Sequence, residues 1–131
     1  SDVCSSDLAG GKKSPNWLPQ PELHNYPAAQ SYLSLVFPPA QAARLARRLR
    51  AAPVVQFKAK DIFRASQLSL LGVSNSHVEK DRKKIRAGTP LSPILLVRNP
   101  ALGRVVVADG YHRLCAVYAF DEDAWVPCKI V

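Results

Sequence analysis

The stretch Val105-Val106-Val107-Ala108-Asp109-Gly110-Tyr111-His112-Arg113-Leu114-Cys115-Ala116 holds the most informative change of pattern in the chain. A β-branched apolar run stops at Asp109-Gly110, and Leu114, Val117 and Tyr118 then recur at helical spacing. This is a buried strand turning directly into a helix.

Working outward from that turn, residues 93–98 and 104–108 read as two buried strands joined by Asn99-Pro100-Ala101-Leu102-Gly103, a hairpin with a five-residue loop. Downstream, Asp121-Glu122-Asp123 is an acidic loop and residues 125–131 form a last strand. Upstream, residues 54–59 alternate as a strand, 60–66 form a short helix, and 67–76 form a loop containing Gly72. Ser76 with Glu79 is a capping box for a helix over 77–87 that Gly88 terminates. That helix is polar. Val78, Ile85 and Ala87 are its apolar seam, while Lys80, Arg82, Lys83, Lys84 and Arg86 point elsewhere.

Two further helices precede these elements. Tyr32, Leu33, Val36 and Phe37 mark the first, over 28–37, and Pro38-Pro39 ends it. The second starts at Pro39, buries Ala42, Leu45, Ala46 and Leu49, and stops before Pro53. Arg44, Arg47, Arg48 and Arg50 cover its other faces, as a solvated surface or as nucleic-acid contacts. Residues 9–26 read as an irregular arm, pinned by Trp17 and Tyr26. The expected fold is α+β, a small mixed sheet built in the order β-α-α-β-β-α-β behind two N-terminal helices.

A chain of 131 residues and 14.3 kDa accommodates one such domain. With 47% hydrophobic and 21% charged residues it is neither disordered nor fibrous. The longest unbroken apolar run, 114–120, is far short of the roughly 18 residues of a membrane-spanning helix, so a soluble cytoplasmic protein is expected. A formal charge of +8 favours an anionic partner such as a nucleotide or nucleic acid. Residues 1–8 read as the translation of a sequencing-adapter end and are set aside as an artefact; without Asp2 and Asp7 the charge rises from +8 to +10. The remaining Cys115 and Cys128 have neither disulfide-framework nor metal-ligand spacing.

Chemistry points back to the turn. A helix start offers unpaired N–H groups and the positive end of a dipole, Gly110 permits close approach, and His112 and Arg113 add donors. Asp109 would orient a ribose hydroxyl, hold Mg²⁺, or cap the helix. His77 either faces the same cleft or is an exposed residue of its helix, and Trp17 and Trp125 are core or lid anchors rather than base-stacking platforms.

Residues 91–97, 105–116 and 126–131 together resemble the core of the ParB/sulfiredoxin superfamily over about residues 54–131, with His112-Arg113 at the position of its phosphate-binding turn. The Asp109-Gly110-x-His112-Arg113 form is similar to that of free-serine kinases of this superfamily. Tyr111 stands where sulfiredoxins carry their reactive cysteine, and no helix-turn-helix domain follows as in ParB partition proteins. The resemblance implies a site for a nucleoside triphosphate, ATP or CTP, with Mg²⁺ and with either hydrolysis or phosphoryl transfer to a small molecule. It assigns nucleotide binding to Gly110, Tyr111, His112 and Arg113, and sets Lys58, Lys60, Asp61 and Arg64 beside them, where Lys58, Lys60 and Arg64 would neutralise phosphate; the alternative is that the four form a surface ion cluster. Asp109 and Asp61 are then the metal or base candidates. The alternative is a non-catalytic nucleic-acid-binding or partner-recruiting module using Arg44 to Arg50 and Lys80 to Arg86.

Overall fold

The computed structural model describes residues 14–69 and 75–131; residues 1–8, the start of the arm and the part of the loop around Gly72 lie outside the described residues. The chain runs α1 (Asn25–Val36), α2 (Pro39–Ala51), β1 (Val55–Lys58), α3 (Ala59–Ser66), α4 (Ser76–Ala87), β2 (Ile94–Asn99), β3 (Arg104–Asp109), α5 (Tyr111–Phe120) and β4 (Trp125–Ile130). This is the α+β order expected from the sequence.

The strands form one sheet in the order β1-β4-β2-β3. β4 lies parallel to β2 and antiparallel to β1, with Cys128 opposite both Ile94 and Val55, and β2 pairs antiparallel with β3. An uninterrupted apolar run occupies β2 because both faces of the sheet are covered. Ile94 and Leu96 enter one core with Phe63, Val78, Ile85, Leu114 and Val117, whereas Leu95 and Val97 enter a second with Tyr26, Leu33, Leu45 and Leu49. The sheet therefore separates an α1–α2 layer from an α3–α5 layer.

Several boundaries differ from the sequence reading. α1 begins at Asn25 rather than 28, because Pro27 falls in its first turn, where a missing N–H breaks no helical bond. Tyr26 is accordingly a core residue of that helix and not an arm anchor. Trp17 does hold the arm: Leu18 N donates to the Leu91 carbonyl and Leu91 N to the Asn16 carbonyl, both at 2.8 Å. The cap of α4 is Asn75, not Ser76; its Oδ1 accepts from the N–H groups of His77 and Val78. Ala87 is exposed, and Gly88 closes the helix at φ 76° as expected.

Lys129 is 3% exposed on the α1–α2 side of β4. Its Nζ donates to the Arg50 carbonyl at 2.9 Å, satisfying an orphan carbonyl at the end of α2 beside the Tyr26 ring. Among the described residues, no helix is long and apolar enough to cross a membrane.

Candidate anion-binding site

Where β2 and β3 reach the turn, Leu95 stands opposite Asp109 and Leu96 opposite Val107. Ala108 is thus the extra residue of a bulge that ends the ladder immediately before Gly110. Gly110 has φ 107°, and a Cβ there would meet Arg113 Nη2 at 2.9 Å and Ile94 Cγ1 at 3.0 Å. A glycine lets the strand turn into α5 with the backbone open on one side.

The first helical bond of α5 runs from Leu114 N to the Gly110 carbonyl at 2.9 Å. No side chain caps this end, so the N–H groups of Tyr111, His112 and Arg113 have no partner among the described residues. They border a cavity of about 220 Å³ lined by His77, Lys80, Asp81 and Lys84 from α4 and by residues 109–113. The His77 and His112 rings, both lining it, are in contact with each other, tilted with centroids 4.9 Å apart.

Arg113 is held at two points. Its Nη2 is 3.0 Å from Asp109 Oδ2, and its Nε donates to the Ser92 carbonyl at 3.0 Å. Asp109 is therefore the partner of Arg113 rather than a helix cap. Tyr111 lines the cavity too, but its hydroxyl donates to the Ser69 carbonyl. Burial and the neighbouring Cys115 push the phenol above its ordinary range.

Asp81 is the residue the sequence reading missed. It is 8% exposed and lies three residues after Val78 and four before Ile85, in the middle of the buried stripe of α4. A carboxylate at that register, on the apolar seam, is the signal that would have singled it out. Burial pushes its carboxyl above the usual carboxylate range, against the pull of Lys84, Arg113, His112 and Lys80. Lys80 and Lys84, read from sequence as part of a face pointing away from the seam, are cavity walls.

None of Lys58, Lys60, Asp61 and Arg64 lines this cavity. Lys60 pairs with Asp123 at 2.6 Å, a hydrogen bond that raises the lysine pKa and lowers that of the aspartate. Lys58 stands over the Trp125 ring, which is 56% exposed. Asp61 pairs with Arg64 at 3.1 Å and lines a separate, mainly apolar cavity of about 250 Å³ with Phe57, Ile62 and Arg98. Asp61 and Asp109 are thus in different cavities, which corrects the pairing expected of them. Cys115 and Cys128 are buried in the core.

Comparison with known proteins finds no matching family model, no curated relative and no similar solved structure.

Proposed function

We propose that the protein binds a nucleoside triphosphate, ATP or CTP, by seating its phosphates on the start of α5. The observation that carries this reading is the set of unpartnered N–H groups of residues 111–113, opening on a cavity walled by Lys80, Lys84, His77 and His112. Backbone donors, a dipole end and cations converge there, which is what phosphate oxygens require. The β-α-α-β-β-α-β order and the Gly110-x-His112-Arg113 turn are in keeping with a ParB/sulfiredoxin-like domain.

Mg²⁺ was expected at Asp109, and the residues do not fit that role. Asp109 Oδ2 is committed to Arg113, and among the described residues no three His, Cys, Asp or Glu side chains gather as a metal site. Asp61, assigned with Asp109 to hydrolysis or phosphoryl transfer, lies in another cavity, and the second carboxylate of this one is Asp81. The geometry supports binding ahead of turnover.

Calorimetric titration with ATP, CTP and GTP tests the reading. Binding of at least one in the micromolar range is expected, and no binding below about 1 mM to any of them overturns it. The nucleic-acid reading is less favoured by the geometry, since the arginines of α2 and the lysines of α4 belong to opposite layers of the sheet and form no single stripe.

A further inference from the structure

Asp81 is left incomplete by a phosphate alone. Asp81 lines the cavity, is more than nine-tenths buried, and makes no hydrogen bond or ion pair with any described residue. Lys84, Arg113, His112 and Lys80 act on it only through space. An oxyanion seated on the α5 N–H groups would share one cavity with this carboxylate, where like charges repel. A bridging group between them removes that repulsion. A protein-held metal ion does not fit, because Asp109 is tied to Arg113 and no ligand cluster is present among the described residues.

Resting on the anion-binding reading above, we propose that Asp81 binds the ligand as its neutral acid, donating its O–H to an oxyanion oxygen, so that each ligand enters with one proton taken from solvent. The bridge turns a repulsion into a short charge-assisted hydrogen bond. Burial already raises the Asp81 carboxyl in the required direction. The charged and titratable groups lining the cavity with it are His77, Lys80 and Lys84 from α4, Tyr111, His112 and Arg113 from α5, and Asp109 from β3. The cations oppose protonation while the site is empty, and a bound anion offsets them, so proton and ligand reinforce each other. The site then takes oxyanions that present an acceptor oxygen to Asp81.

Sulfate is the probe, because its charge is constant between about pH 6 and pH 8 and any proton taken up belongs to the protein. Calorimetric titration of the full chain in buffers of different ionisation enthalpy is expected to show uptake of about one proton per sulfate, with affinity falling up to about tenfold per pH unit as pH rises. In Asp81→Asn the amide N–H replaces the O–H as donor. Sulfate affinity is then expected to persist within about threefold, with no proton uptake and a flat pH profile. The His77→Gln, His112→Gln double variant, weaker in affinity, is expected to keep the uptake, which holds the test open should Asp81→Asn not fold. Sulfate binding without proton uptake, uptake that persists in Asp81→Asn, or uptake lost in the histidine variant each overturns the proposal and leaves the anion site standing. Nucleotide binding that requires Mg²⁺ while sulfate does not bind also overturns it, since a metal ion then bridges to Asp81. Absence of both sulfate and nucleotide binding removes the anion site itself.

Discussion

Arg113 reaches back over Gly110 to Asp109, Nη2 to Oδ2 at 3.0 Å, so the residue that opens the turn and the cation four residues later are clamped together. Both side chains are 18% exposed, and Arg113 Nε also holds the Ser92 carbonyl, which ties the first turn of α5 to the segment before β2. The clamp shapes the cavity floor. In a double-mutant cycle of Asp109→Asn and Arg113→Gln, measured by urea denaturation, a coupling of about 1–3 kcal/mol is expected. Additive effects would show that the pair does not hold the turn.

Gly110→Ala places a Cβ within 2.9 Å of the Arg113 guanidinium at a backbone φ of 107°. The strained backbone alone costs about 1–3 kcal/mol, and the displaced guanidinium leaves Asp109 without its partner. A lower melting temperature with weakened anion binding is expected. Wild-type stability and binding in this variant would place the turn in a different conformation.

The cap of α4 is tested by a pair of neighbours. Asn75 accepts from the N–H groups of His77 and Val78 at 3.0 and 3.2 Å, whereas Ser76 is the first residue of the helix itself. Asn75→Ala is expected to cost about 1 kcal/mol in thermal or chemical unfolding, with Ser76→Ala nearly neutral. The reverse ranking would restore the Ser76–Glu79 capping box.

Burial pushes the Cys128 thiol from 9.0 up to about 12. In the unfolded chain the thiol ionises near its ordinary value, so as pH rises between about 9 and 12 the unfolded state gains a favourable ionisation that the folded state cannot make. Stability is lost with rising pH across that window. Cys128→Ala removes this contribution, so its destabilisation relative to wild type is expected to shrink between pH 8.5 and about 10.5 in urea titrations. A constant difference would mean that the thiol ionises equally in both states.

Local pattern alone determined the helices, the strands and the turn at Gly110. Period, proline and glycine act within a few residues: Val105 to Val107 read as strand, Pro39 as a helix start and Gly88 as a helix end, and each is so. The Gly110-x-His112-Arg113 turn was legible for the same reason, since a glycine at positive φ before a helix is a local requirement. What the tertiary structure decided is which distant groups meet. Lys60 finds Asp123 and Lys58 finds Trp125 because β1 pairs with β4, a register that no local pattern in either segment specifies, and that pairing takes them away from the anion site. Packing of α4 on α5 brings His77, Lys80, Asp81 and Lys84 to the turn in their place. A polar helix carries no sequence mark of which neighbour its few apolar residues will bury against. The walls of the cavity, and the buried carboxylate among them, are therefore set by long-range packing of Val78 and Ile85 and not by the residues beside them in the chain.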